Sequence, residues 1–524
     1  MRVESTDLGE LPFSTLYRAY MAGDVSLAPD YHRFPAVDGT LRTAVRDSWV
    51  GDRHTLVDLL TRFNAPYAPH EAARTNIRRL ADPASRVVVT GQQAAIAGGP
   101  AFTAWKALTA IDAARRLEAA TGVPVVPVFW LADEDSDLAE ITSIGFPTRD
   151  GWYHDILSLE SDTAHAAGFV RVGADRRRFL DAMKAHLPES DFKADVTALL
   201  EGAYTSDGLT LVEGFAQVLT SLFSKHGLVL AGSNHPDIKR VMAEPMAIAA
   251  ERHAEIEAAL RSRSEDIARR HHAQAHVGPT LLFEHHPDNG RTRIDEVGTE
   301  LASDIRRNPS RFSPNVFLRP ILQDTLLPTA AYVAGPAETA YYAQMADLYP
   351  LFGRRMPVIL PRWSVTVVEP AVARYLDDMP LPWTGFRGRA EDVERNLLAQ
   401  MALPDVDQRM DRWRQTLSDI ATEHVDFTRS VDPTLAATAE SIIKEQQNAL
   451  EKLRQKLLRS LKTKEETRLR RAQQIRQSLF PNGTLQEREW ALAYPLARFG
   501  ADFYDRALAA LSGRPTDRHH LLYP

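Results

Sequence analysis

The sequence predicts an α/β protein, a parallel-sheet core followed by a long charged helical arm. Two observations carry this. Residues 85–132 read as strand, glycine-containing loop, helix and strand, a βαβ order that implies parallel pairing. In the C-terminal third the apolar period changes. Ile443, Leu450 and Leu457 recur at seven, Leu453 fills the second seam position, and half of the ten lysines fall between 444 and 464. That is the signature of a coiled-coil hairpin.

Composition bounds the function. The 524 residues are 44% hydrophobic and 25% charged, ordinary for a globular protein that can bury a large core. There is no cysteine, which excludes disulfides, thiolate-ligated zinc, iron–sulfur clusters and a cysteine nucleophile. A net charge of −7 offers no footprint for nucleic acid. Residues 1–20 lack an apolar core behind a basic start, so no signal peptide is expected. The longest apolar stretch, Val123 to Ala132, holds two prolines and falls far short of the ~20 residues of a membrane span. A cytoplasmic protein without membrane or nucleic-acid partners is expected.

Taken in order, residues 1–84 look mostly helical. Ser85 to Gly91 is a β-branched run ending in glycine, a buried strand. Residues 92–99 form a loop, Pro100 marks a helix start, and Gly122 closes that helix. Residues 123–132 are a second buried strand. Helix is expected over 209–223, strand over 227–232 and helix over 238–270. A hairpin is expected over 279–294, turning at Asp288-Asn289-Gly290. Residues 315–336 alternate strand-like runs with prolines, 337–352 are helical, and 356–369 are extended. Residues 390–427 and 433–479 form the arm, turning at Asp432-Pro433. Residues 479–483 break it, and a last helical stretch runs to about Leu511. The expected division is a core over 1–385, an antiparallel coiled-coil arm over 386–478, and a loop and helix over 479–524 that return to the core.

Candidate site residues cluster at predicted strand ends, where open α/β sheets bind ligands. The first group is Thr90, Gly91, Gln92 and Gln93 with Gly98, Gly99 and Lys106. Glycines admit a close phosphate, and a helix N-terminus presents free N–H groups to an anion. Lys106 is the only lysine among the first 183 residues of an arginine-using chain, which marks it out from casual surface charge. The spacing is neither a P-loop nor G-x-G-x-x-G, and a tight strand–helix turn with a solvated lysine reads equally well. The second group follows Trp130: Asp133, Glu134, Asp135 and Asp137. These carboxylates suit Mg²⁺, a substrate ammonium or general-base work; a solvated acidic loop is the plain alternative. The third comprises Arg319, Gln323, Asp324, Glu338, Tyr342, Arg362 and Ser364, polar residues among apolar ones that need partners or a ligand. His272, His276, His285 and His286 find no acidic third ligand at metal spacing. They are expected on the surface, and no metal site is assigned.

Five blocks, at 90–111, 124–141, 313–345, 356–367 and 478–488, resemble in order those of the cysteine ligase family of bacillithiol biosynthesis, BshC. The resemblance runs from about residue 10 to the C-terminus. It implies a Rossmann-like core with inserted connecting segments, related to the nucleotide-binding class of the class I aminoacyl-tRNA synthetases. It also implies a coiled-coil arm that makes a homodimer. The implied reaction joins cysteine, through its carboxyl, to the amino group of glucosaminyl-malate, the last step toward that low-molecular-weight thiol. One departure is Ser136, where the family usually carries histidine within the acidic motif.

A carboxylate is a poor electrophile, so the implied reaction needs activation by ATP, as an acyl-adenylate or an acyl-phosphate. On the resemblance, Gly91, Gly98 and Gly99 would meet the nucleotide, as would Phe480, Asn482 and Gly483. The bound form would be ATP or its product ADP, with Mg²⁺ as the candidate companion ion. Lys106 would stabilise developing charge. Glu134, Asp135 and Asp137 would hold Mg²⁺ or the amine, or act as its base. Arg319 would clamp the malate carboxylates, with Thr90, Gln92, Gln93, Trp130, Gln323, Asp324, Glu338, Tyr342, Arg362 and Ser364 lining the substrate. The rival readings are a synthetase-like nucleotidyltransferase on another substrate and a non-enzymatic nucleotide-binding coiled-coil scaffold.

Overall fold

The structure, a computed structural model, describes every residue except Glu10, 35–39, Asp150, 160–164, Pro287, Asn289 and 401–405. The chain divides into two compact units, Met1–Val367 with Gln486–Pro524, and Val368–Leu485.

The first unit is built on a five-stranded, all-parallel sheet. Its strands are β1 (Arg86–Gln93), β2 (Val125–Ala132), β3 (Val229–Gly232), β4 (Thr329–Ala334) and β5 (Val358–Pro361), in the spatial order β5-β4-β1-β2-β3. Helix α1 (Phe102–Thr121) connects β1 to β2. Val87, Val88 and Val89 of β1 are fully buried, as are Val126, Val128 and Phe129 of β2. Both faces of the sheet are covered, so these strands read as uninterrupted apolar runs instead of alternating ones. The chain steps outward from β1 to β2 and β3, then crosses back to β4 on the other side of β1. That reversal is the Rossmann-like switch point, and it opens a crevice at the carboxyl ends of β1 and β4.

Two expectations are corrected. Residues 315–336 are not a succession of extended runs; Leu318–Leu326 is a helix, α3, and only Thr329–Ala334 is strand. Asn315 Oδ1 accepts from the N–H groups of Phe317 (2.9 Å) and Leu318 (3.0 Å) and so caps the helix. Pro320 falls in the first turn, where a missing N–H costs nothing. Residues 238–270 are two helices, Pro236–Glu251 (α2) and His253–Arg270. Their corner, Arg252, is held by its guanidinium on the Glu255 carboxylate and the Leu351 carbonyl. Between these helices and β4 the expected hairpin forms from Leu282–His286 and Gly290–Arg293, and Phe312–Pro314 adds a third strand. Asn289 of its expected turn lies outside the described residues. Helix α4 (Pro336–Gln344) follows β4.

A second sheet escapes the sequence reading. Arg2–Thr6 pairs antiparallel with His519–Tyr523, which lies parallel to Ser364–Val367. In it, His519 is fully buried; Nδ1 lies 2.8 Å from Ser364 Oγ and Nε2 lies 3.0 Å from Thr366 Oγ1. Burial pulls its pKa from 6.5 down to about 4. The folded state therefore binds fewer protons than the unfolded state between these values. Stability from this residue is intact above 6.5 and is lost as pH falls toward 4, by about 3 kcal/mol in all. His519→Gln, which can hydrogen-bond both hydroxyls without titrating, should flatten this part of the pH profile in urea unfolding. An unchanged slope would show that His519 is not its source.

The second unit is helical. Among its elements, α5 (Val406–Val431) and α6 (Ala436–Lys464) form an antiparallel hairpin. Asp407 at the start of α5 meets Arg454 late in α6 at 2.8 Å, and Arg429 near the end of α5 meets Glu440 at 3.5 Å. Asp432 Oδ1 accepts from the Thr434 N–H at the turn (2.9 Å). Of the predicted seam residues Leu450 is buried, whereas Leu453 and Leu457 are partly exposed. Residues 401–405, within the stretch expected as helix, lie outside the described residues. No helix of the described residues is long and apolar enough to cross a membrane.

Candidate active site

Lys106, on the second turn of α1, is buried beneath the switch point. Its ammonium donates to Gly91 O (2.7 Å) and Gln92 Oε1 (3.0 Å) and pairs with Glu338 Oε2 at 2.5 Å. An ammonium has three N–H groups, so all are engaged. Glu338, in the first turn of α4, also accepts from the Gly335 N–H (2.6 Å) and from Tyr332 O–H (2.6 Å). Burial lowers the Lys106 pKa against the opposing pull of Glu338. Burial raises that of Glu338, but the Lys106 charge and hydrogen bonds outweigh it and hold the carboxylate below its usual range. The pair is therefore an ionised clasp between the end of β1 and the start of α4. Gly91 is required there, because a Cβ would sit 3.0 Å from Trp130 O on the neighbouring strand.

Around this clasp lies a cavity of about 260 Å³ lined by Gly91, Gln92, Gln93, Lys106, Trp130, Asp135, Arg319, Glu338, Arg362 and Arg488, among others. Arg319 donates to Tyr341 Oη (2.7 Å) and Gln323 Oε1 (3.3 Å) and has no carboxylate partner among the described residues. Arg362 is clamped by Glu487 (2.7 and 2.9 Å), while its buried Nε has no hydrogen-bond partner among the described residues. Arg488 is exposed, has no hydrogen-bond or ion-pair partner among the described residues, and lies 5.7 Å over the Phe102 ring; Arg362 lies 5.3 Å from the same ring. A second cavity, about 330 Å³, shares Trp130, Asp135 and Arg319 with the first and extends past Glu134, Arg291 and Arg293.

The acidic group separates by role. Asp133 Oδ1 accepts from Ser233 N–H and O–H, and Oδ2 from the Asn234 N–H (2.9 Å), filling the amides ahead of α2. Glu134 is buried against Lys239, and its Oε2 has no partner. Burial pushes the Glu134 pKa up, but the Lys239 charge overrides this and keeps it ionised. Asp135 sits where the two cavities join and accepts from Gln93 Nε2 at 2.7 Å. Asp137 is exposed and lines neither cavity.

The remaining predicted residues are placed as follows. Thr90 is buried and donates to Val333 O (2.9 Å). Gln323 and Asp324 lie behind Arg319, with Asp324 bonded to Tyr349 O–H (2.9 Å). Tyr342 is buried, with its hydroxyl unpartnered. Ser364 bonds Glu487 and His519. Gly98 takes φ +84°, and a Cβ on it would meet Val218 and Leu492 at 3.1–3.3 Å, so it serves packing. Gly99 and Gln93 line a third cavity, of about 210 Å³, together with Arg488. Phe480, Asn482 and Gly483 belong to the second unit, where Phe480 stacks on Trp383 (5.5 Å).

The expected anion cradle at the start of α1 is closed by protein. The Ala101 N–H donates to Trp490 O at 2.7 Å. At α4 the Gly335 N–H is taken by Glu338, and ahead of α2 the amides are taken by Asp133. The crevice presents instead the guanidinium groups of Arg362 and Arg488. Among the described residues no cluster of three His, Asp or Glu side chains could hold a metal ion. Sequence reasoning missed Arg291, Arg293, Arg488, Lys239 and Tyr332.

Two family models match. Residues 1–363 match the model described as the N-terminal Rossmann-like domain of bacillithiol biosynthesis BshC. Residues 365–524 match its C-terminal coiled-coil domain. Similar proteins carry the name "Putative cysteine ligase BshC". One from Salinibacter ruber is 34% identical over 88% of this chain and 87% of its own. One from Symbiobacterium thermophilum is 29% identical over 96% and 97%, and one from Bacillus cereus is 29% identical over 87% and 88%.

Proposed function

Because the chain belongs to the BshC family, we propose that it is an ATP-dependent ligase joining the carboxyl of cysteine to the amino group of glucosaminyl-malate. The observation that carries this reading is the charge layout of the switch-point crevice. Arg319 and Arg488, cationic groups without carboxylate partners among the described residues, line the crevice with Arg362, the ionised Lys106–Glu338 clasp and Asp135. Such a crevice suits one substrate rich in phosphate, a second bearing carboxylates, and an amine that must lose a proton.

ATP, the co-substrate, supplies the leaving group on the cysteine carboxyl. Arg488 and Arg362 Nε bind its phosphate oxygens, which places positive charge where negative charge develops. Lys106 keeps Gly91, Gln92 and Glu338 in register around the reacting centre. Asp135, fixed by Gln93, receives the proton released as the amine nitrogen forms the C–N bond. Arg319, oriented by Gln323 and Tyr341, holds the acceptor through its carboxylates.

The arm suits a homodimer. Trp413, Ile420 and Phe427 recur at seven along α5 and are 51%, 46% and 65% exposed, an apolar stripe that a second copy would cover. The double variant Ile420→Asp, Phe427→Asp alters exposed positions only and should give folded monomer by light scattering. A persistent dimer would place the interface elsewhere.

Mass spectrometry on protein incubated with ATP, Mg²⁺, cysteine and glucosaminyl-malate tests the reaction. Cysteinyl-glucosaminyl-malate should appear together with AMP or ADP, and only when all three substrates are present. Folded protein that consumes ATP with another acceptor, and not with this one, would move the proposal to a different substrate.

A further inference from the structure

We propose that the second cavity is a dicarboxylate subsite whose specificity is set by Arg291 and Arg293 together with Arg319. The cavity, about 330 Å³, is shared by the end of β2, the hairpin 282–293 and the segment leading into α3. That volume is in the ordinary range for small-molecule sites.

Arg291 is built in place. Its guanidinium lies 3.8 Å over the Phe283 ring, its Nε donates to Ser313 Oγ (3.0 Å), and its Nη2 donates to Pro314 O (2.7 Å). Both oxygen partners are neutral, and among the described residues no carboxylate pairs with it and Nη1 carries no hydrogen bond. Arg293 lies 5.9 Å from the same ring. Neither residue, nor Arg319, has a carboxylate partner among the described residues. Arg291 and Arg319 are desolvated cations without a paired carboxylate, an arrangement that is unfavourable alone and becomes favourable when an anion arrives. Burial lowers the Arg291 pKa, against the opposing pull of the Glu134 and Asp135 charges.

The carboxylates of the cavity do not fill this role. Glu134 is committed to Lys239. Asp135 is turned to Gln93 at the junction with the first cavity. The lining therefore brings together three guanidinium groups, Arg291, Arg293 and Arg319, and Asp135, whose carboxylate pairs with none of them among the described residues. An acceptor with two carboxylates and an amine is the matching ligand. Its carboxylates sit on Arg291, Arg293 and Arg319, its amine is delivered to Asp135, and the nucleophile then faces the Lys106 cavity. The identity of the acceptor rests on the ligase reading; the preference for a dicarboxylate rests on the guanidinium geometry.

Calorimetric titration of the full chain with L-malate, and with acetate as the monocarboxylate control, tests this. The wild type should bind malate and not acetate. Arg291→Gln and Arg293→Gln should each weaken malate binding about tenfold, and Arg291→Lys, which keeps the charge but not the fork, should fall between. Arg293 is exposed, so its variant reports even if Arg291→Gln fails to fold. Absent malate binding in the wild type, or equal affinity in the folded variants, would overturn the subsite. A ligase assay without product would instead remove the proposed reaction while leaving these titrations to be read by themselves.

Discussion

Lys106→Met should reduce ligation by about a hundredfold, through misplacement of the groups it holds, and should also destabilise the fold. The substitution leaves Glu338 buried beside Tyr332 without its counter-charge, and leaves Gly91 O and Gln92 Oε1 without their donor. Removing one partner of a buried ion pair costs about 3–5 kcal/mol. The two effects are separable. In the double variant Lys106→Met, Glu338→Gln no charge remains to be compensated, so most of the stability should return by urea unfolding while turnover stays low. Turnover recovering with stability would reduce Lys106 to a structural residue. Unchanged turnover in Lys106→Met alone would send the site elsewhere.

Glu487→Ala should destabilise the protein by a similar amount, about 3–5 kcal/mol. Glu487 is fully buried and accepts from Arg362 through both oxygens. It also accepts from the Val365 N–H (2.9 Å) and from Ser364 Oγ (3.2 Å). It thus ties the returning segment 486–492 to the second sheet and sets the guanidinium of Arg362, which lines the crevice. Glu487→Gln keeps an acceptor for Arg362 and should cost less. If the Ala variant unfolds at the same urea concentration as wild type, Arg362 has found another partner and the clamp is not what orders it.

The parts of the fold legible in the sequence are those where local pattern and tertiary role agree. β1 and β2 are buried on both faces, so their valine runs are unmistakable, and Gly122 ends α1 where expected. Helix α3 was hidden because Pro320 reads as a breaker, while the cap that licenses it is Asn315, outside the apolar pattern. The pairing of Arg2–Thr6 with His519–Tyr523 joins the two ends of the sequence, and no local signal reports such a contact. The site follows the same logic. Lys106 stood out because lysine is rare in the first third. That same economy concealed Arg291, Arg293 and Arg488, since arginine is this chain's ordinary base and one more carries no signal. The start of α1 looked like an anion cradle because its sequence cannot reveal that Trp490 O already occupies the Ala101 amide.

In the proposed reaction a nucleotide-activated cysteine carboxyl meets an amine in the switch-point crevice. Cysteine labelled with oxygen-18 in both carboxyl oxygens tests it most directly. Ligation by this account delivers one labelled oxygen to AMP, if the carboxyl is adenylated, or to phosphate, if it is phosphorylated. The transfer should be stoichiometric with the amide formed and absent in Lys106→Met. An amide formed with no label in either phosphorus product would contradict the account, because the carboxyl would then have been activated by some other route.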